Sequence, residues 1–364
     1  MRWPTKAVVA GSLLLVSCAP AAGPPAKPSP DLAALSQQVI SDPLTVGPDN
    51  GPGCAAAVGK QGTVVWHGAY GLADVDAGTP ITESTVFDIG SVTKQFTATL
   101  ILLLAADGKL ALDDNVSDHV DGLPTWSDDV TLDQLIHHTS GIPEYMPLLG
   151  DKGYEPEDTA GRKLAFEVIA GMTELDSKPG TSFAYSNSNY ILLGYVIEQV
   201  TGAPIADVLA ERIFRPLDLG MVMQPTGPVT GKARSYRVGA YGTGDDIYDW
   251  HWDAAGAAGI QSHVVDLVRW GDNYRTGKLG GQALLDAQLA DAADPGDGDG
   301  SRYGAGIVIL PDRGLFHGGQ YGGFHTLFRV SPDRTQEIVV ACNLLDVDVE
   351  AIGEKLANLW QTSH

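Results

Sequence analysis

Ser91 and Lys94 stand three residues apart in Phe87-Asp88-Ile89-Gly90-Ser91-Val92-Thr93-Lys94-Gln95-Phe96, and no other serine in the chain has a lysine at that spacing. On a helix, residues so spaced have Cβ atoms about 5–6 Å apart on one face. The ammonium therefore reaches the hydroxyl without help from a loop. Residues 96–106, with Leu100-Ile101-Leu102-Leu103-Leu104, are apolar all round and read as a buried helix. Burial and the positive helix N-terminus both disfavour a charged ammonium, so Lys94 is able to take a proton from Ser91 near neutral pH. Such a pair is an activated nucleophile. A Ser-x-x-Lys also arises by chance, and companions must decide.

Two further polar clusters are candidates. Tyr185-Ser186-Asn187 sits on the loop leading into an apolar helix at 191–200 that stops at Thr201-Gly202, where side chains are positioned rather than packed. The alternative is a helix cap, with Ser or Asn holding free N–H groups. His317-Gly318-Gly319-Gln320 falls between two late strands, and its glycines let a ligand approach the backbone. The pair His137-His138 reads as structural, because adjacent residues point to different faces and no third ligand follows at a metal-site spacing. Asp294, Asp297 and Asp299 lie in a Gly-rich loop without the alternation and closing Glu of an EF-hand, which reads as solvated. No metal and no cofactor is expected. Trp250 and Trp252, beside a run of small residues at 254–259, either line a substrate cleft or cover the core; Trp252 is carried as a substrate-binding candidate.

The elements that must position these residues follow from pattern. A short helix at 31–40 precedes strands at 54–58 and 63–66 joined as a hairpin, and the section after Gly108 is helical and loop-broken. Strands at 304–310, 314–318, 324–330 and 337–343 and a helix at 351–360 end the chain. Early strands, a helical middle and late strands imply one sheet built from both ends with the middle inserted as a second lobe. At 364 residues, 44% hydrophobic and 19% charged, the chain has the composition of a globular protein. Its net charge of −22 argues against nucleic acid as a partner.

The N-terminus is not part of that fold. Arg2 and Lys6 form a positive region, residues 7–16 an apolar run too short to span a bilayer, and Leu15-Val16-Ser17-Cys18 a cleavage site. This resembles a bacterial lipobox, which implies a signal peptide at 1–17 and lipidation of Cys18. Residues 18–45 then form a Pro-rich tether and short helix, and 46–364 the catalytic domain. The expectation is an exported protein anchored to the cell envelope.

Ser91-Val92-Thr93-Lys94, Tyr185-Ser186-Asn187 and His317-Gly318-Gly319, in that order, resemble the three motifs of the serine β-lactamase and penicillin-binding superfamily. The likeness is to the branch holding class C β-lactamases, D-alanyl-D-alanine carboxypeptidases and related carboxylesterases, and His138-Thr139-Ser140-Gly141 looks like a turn of that branch. The resemblance implies an α/β (α+β) fold: an antiparallel five-stranded sheet flanked by helices, with a mostly helical lobe at about 96–254 inserted between sheet segments at about 46–95 and 255–364. It implies Ser91 as nucleophile, Lys94 as its proton partner, and Tyr185 as shared base and acid, kept partly phenolate by Lys94 and His317. Asn187 would hold the substrate amide, and the amides of Ser91 and Gln320, beside Gly319, would form the oxyanion hole. It also puts the first strand beside the last, which brings Cys54 to Cys342 as a disulfide.

Class C enzymes usually carry Lys in the third motif; His317 looks more like the carboxypeptidase and esterase members and pulls less on a substrate carboxylate. The intact Tyr185-Ser186-Asn187 favours amides over plain esters. The reading is therefore a serine hydrolase of the D-alanyl-D-alanine carboxypeptidase or amidase type, acting through an acyl-enzyme on a small molecule or peptidoglycan peptide. A class C-type β-lactamase, a carboxylesterase and a penicillin-binding sensor lipoprotein that acylates without turnover are the alternatives. A nucleophile-elbow hydrolase is disfavoured, because no Gly-x-Ser-x-Gly is present.

Overall fold

The computed structural model describes residues 29–42, 50–155, 158–238 and 245–361. The expected signal peptide at 1–17, Cys18 and the Pro-rich tether lie outside the described residues.

The main sheet has seven antiparallel strands: β1 (Cys54–Lys60), β2 (Thr63–Tyr70), β3 (Arg302–Tyr303), β4 (Val308–Ile309), β5 (Leu315–Tyr321), β6 (Phe324–Val330) and β7 (Gln336–Cys342), in the order β3-β4-β5-β6-β7-β1-β2. Five of these are long, and they make the expected five-stranded sheet; β3 and β4, of two residues each, extend its edge. Strands β1 and β7 are buried almost throughout, because the sheet is covered on both faces, which is why they lack the polar alternation of a half-exposed strand. Alternate residues serve the two sides. Ala55, Ala57, Val339 and Ala341 join the larger core; Cys54, Ala56, Val58, Ile338 and Val340 join a smaller one roofed by the helices Pro30–Ile40 and Val349–Gln361. Those helices are tied where the Trp360 indole donates to Ser36 Oγ at 3.0 Å.

On the larger core's side lies the helix Thr93–Ala106, entered through the 3-10 turn Gly90–Val92 and buried from Thr93 to Leu104. Gly108, at φ +69°, ends it in the left-handed conformation that glycine takes without strain. The helix Val264–Thr276 ends at Gly277, where φ is +58°.

The third motif requires a correction. His317–Gln320 lies inside strand β5 and not between strands: Gly318, Gly319 and Gln320 pair with Leu327, Thr326 and His325 of β6. Glycine weakens a strand without breaking its ladder, so pairing with β6 runs through the motif. Cys54 and Cys342 face each other across β1 and β7, and a disulfide joins them.

Candidate active site

The turn before the nucleophile is built first. Buried Asp88 accepts from the Gly90 amide at 2.8 Å and from Gln261 Nε2 at 2.6 Å, and the Ile89 amide donates to the Ile260 carbonyl at 3.0 Å. This fixes Gly90 at φ +53°. A Cβ on Gly90 would lie 2.7 Å from the Gln320 amide nitrogen, and one on Gly319 would lie 3.2 Å from that of Ser91. Glycine at both places lets β5 meet the turn backbone to backbone, so the Ser91 and Gln320 peptide units share one end of the cleft.

Lys94 is wholly buried, and its Nζ lies 3.0 Å from Ser91 Oγ, 2.7 Å from Asn187 Oδ1 and 3.0 Å from the Ala257 carbonyl. Burial pulls its pKa down to about 7, against the opposing pull of the Glu144 carboxylate. As an ammonium it donates to all three oxygens. As an amine it keeps two N–H bonds and offers its lone pair to the Ser91 proton.

The Tyr185 hydroxyl is hydrogen-bonded to Ser91, and the Lys94 Nζ stands 4.9 Å from its ring centroid. The ring opens to the cleft, 41% exposed, while the hydroxyl end is enclosed, and burial raises its pKa. Burial thus works against the phenolate that the resemblance implies. His317 gives no help to a phenolate. Its Nδ1 donates to the Gly318 carbonyl at 2.6 Å, its Nε2 faces the Tyr303 hydroxyl at 3.1 Å, and burial, aided by Lys94, lowers its pKa to about 4. The imidazole is uncharged.

Asn187 opens the helix Asn187–Thr201, four residues before the expected start. Its Oδ1 is taken by Lys94, and its Nδ2 makes only a long contact, 4.0 Å, to the Met146 sulfur. Ser186 does not cap: its hydroxyl donates to the Pro143 carbonyl at 3.2 Å. A cleft of about 810 Å³ is lined by Ser91, Tyr185, His317, Gly319 and Gln320, with Phe183 and Tyr303 on its wall. Trp252 is a second correction. It is buried, donates to the Glu155 carbonyl at 3.0 Å and packs on Trp250, away from the cleft lining. A satisfied indole N–H made core the better home for it.

Four partners escaped the sequence reading. Glu144 caps the helix Tyr145–Asp151, accepts from the Asn187 amide at 2.5 Å and supplies the charge opposite Lys94. The Ala257 carbonyl holds Lys94, Tyr303 holds His317, and His138 packs on Tyr185. His138 opens the His-Thr-Ser-Gly turn and Glu144 follows it by three residues, and that turn is the one signal that pointed to them. Among the described residues, no cluster of His, Cys, Asp or Glu could hold a metal ion.

The Beta-lactamase family model matches residues 45–358. The chain belongs to that family. The D-aminopeptidase of Cereibacter sphaeroides is 30% identical over 321 residues, 85% of this chain and 60% of that protein, so the chain spans about three-fifths of the length of the curated relatives it matches. Among solved structures, the octameric penicillin-binding protein homologue from Pyrococcus abyssi superposes with a TM-score of 0.78 at 24% identity, over 91% of this chain and 77% of that one. The D-amino acid amidase from Ochrobactrum anthropi SV3 superposes with a TM-score of 0.74 at 22% identity, over 90% and 99%. The fold is that of this family.

Proposed function

We propose that the chain is a serine hydrolase that cleaves amide bonds of D-configured substrates through an acyl-enzyme on Ser91. The observation that carries this is the buried Lys94 at 3.0 Å from Ser91 Oγ with a pKa brought to about 7. The Lys94 amine takes the Ser91 proton as Oγ attacks the carbonyl. The amides of Ser91 and Gln320 receive the oxyanion, an interaction in which one donor is worth about 2.7–4 kcal/mol in hydrolases of this kind. The Tyr185 phenol gives its proton to the leaving nitrogen and regains one from the Lys94 ammonium. Water then hydrolyses the Ser91 ester.

Within the peptidase and amidase reading, the electrostatics favour amides that carry no carboxylate next to the scissile bond. His317 is neutral, and four carboxylates, Asp297, Asp299, Glu350 and Glu354, line the cleft against one Arg329. A carboxypeptidase or β-lactam substrate brings an anion into that field, whereas a D-amino acid amide or an N-terminal D-residue brings none or a cation. The names of the D-aminopeptidase and D-amino acid amidase relatives support the same choice. Export and anchoring through Cys18 belong to this proposal, supported by the N-terminal pattern and by a disulfide suited to an oxidising compartment.

The test uses the chain from residue 18 with Cys18→Ser, beside the same chain with Ser91→Ala. Each meets D-alanine amide, a D-alanyl-D-alanine tripeptide, a chromogenic cephalosporin and p-nitrophenyl butyrate, with turnover and protein mass followed together. D-amide turnover lost in Ser91→Ala is the expected result. A stable adduct without turnover replaces the reading with a sensor, and activity surviving in Ser91→Ala ends it.

A further inference from the structure

Tyr185 is held on both sides by one residue. The His138 carbonyl accepts from the Ala184 amide at 2.9 Å, and its imidazole Nδ1 accepts from the Ser186 amide at 3.2 Å. Its ring lies against the Tyr185 ring with centroids 4.3 Å apart. Asn189 Nδ2 sits 3.1 Å from the same Nδ1, and Asn189 Oδ1 accepts from Ser140 Oγ at 2.6 Å, so the amide is oriented to donate. With Nδ1 an acceptor, the proton of the neutral ring is on Nε2, which is buried and has no hydrogen-bond partner. His138 also takes φ +55°, a left-handed backbone uncommon outside glycine, although histidine, with asparagine and aspartate, enters it more readily than most residues. Strain and an orphaned donor on one buried residue are costs of a kind met where structure around a site over-determines a conformation.

From this geometry we infer that His138 is a positioning residue for general acid catalysis: as a neutral acceptor it clamps residues 184–186 so that the Tyr185 hydroxyl stays on Ser91 and beside the leaving group. This rests on the hydrolase reading above for the role of Tyr185. The clamp itself does not.

Three chains decide it: wild type, His138→Phe, which keeps a ring and loses the acceptor, and His138→Asn, whose Oδ1 takes the place of Nδ1 and tolerates a left-handed backbone. In His138→Phe, exchange of the Ser186 amide proton speeds up by about tenfold or more, as a lost hydrogen bond opens locally. Turnover of a D-amino acid amide falls by about 100-fold, while p-nitrophenyl butyrate, whose leaving group needs no proton, falls by about threefold or less. His138→Asn stays near wild type in both. Amide and ester falling in parallel, an unchanged Ser186 exchange rate, or Asn behaving as Phe overturns the inference. Should the Phe chain not fold, His138→Gln, with its acceptor one bond too far out, is compared with Asn instead. Amide turnover persisting in Ser91→Ala removes the hydrolase reading, and Ser186 exchange still decides the clamp.

Discussion

Gly319 meets Ile89 backbone to backbone: a Cβ on Gly319 would stand 2.0 Å from the Ile89 carbonyl oxygen. No rotamer relieves that contact, because Cβ is common to every other residue. Gly319→Ala must push β5 away from the nucleophile turn and separate the Ser91 and Gln320 amides. We expect kcat to fall by about 100-fold, the scale of losing one oxyanion donor, with reactivity of Ser91 toward a fluorophosphonate also reduced. Comparable kcat in the variant would show that the two strands of backbone do not cooperate.

Lys94 sets the pH profile. Its pKa is lowered from 10.5 to about 7 by burial, so the reactive amine is present above that value and lost below it. The kcat/KM for an amide should rise with pH and level off above about 7, on a single ascending limb absent from Lys94→Met. His317 adds no limb at neutral pH, since it is uncharged above about 4. A limb near pH 10 would mean that burial does not lower the Lys94 pKa, and a limb that survives in Lys94→Met would mean that Lys94 is not the base.

His317→Lys tests the substrate charge argument. A cation at that place should improve acylation by penicillin, which carries a carboxylate, relative to a D-amino acid amide by about tenfold, the value of a modest charge interaction. Stopped-flow acylation of both measures it, and an unchanged ratio would mean that substrate charge is read elsewhere.

Glu337 is buried, and burial, with Asp272 nearby, raises its pKa to about 7 from 4.5, against the opposing pull of the Gly62 backbone N–H and of Arg275. Between those values the folded chain holds a proton that the unfolded chain has released, so stability falls as pH rises from about 4.5 to 7 and stays lower above. Glu337→Gln removes that loss, on the order of 3 kcal/mol. The variant's melting temperature should exceed wild type at pH 8 and match it near pH 4; equal temperatures at pH 8 would mean that the carboxylate has found a partner.

The nucleophile pair was legible because it is local. A spacing of three positions sets Ser91 against Lys94 whatever else the chain does, and the apolar run behind them announced burial. The long strands were legible from β-branched and glycine punctuation, and the sheet's two covered faces explain why β1 reads as a plain run of small apolar residues. Glu144, Ala257 and Tyr303 were not legible, since each reaches the site through packing of segments far apart in sequence. A carbonyl such as that of Ala257 has no sequence signature at all. For the Tyr185 phenolate, proximity of cations was counted and the opposing cost of burial was not. Trp252 failed because an indole suits a cleft wall and a core equally until its N–H partner is known.

The bond between Cys54 and Cys342 has a topological consequence. It turns everything from the first strand to the last into a covalent ring, with Ser91, Lys94, Tyr185 and the third motif inside it and the helices Pro30–Ile40 and Val349–Gln361 outside. A single protease cut anywhere between those cysteines opens the ring without dividing it. A nicked molecule therefore runs as one species on a denaturing gel until a thiol is added, its two pieces still tethered at the centre of the sheet.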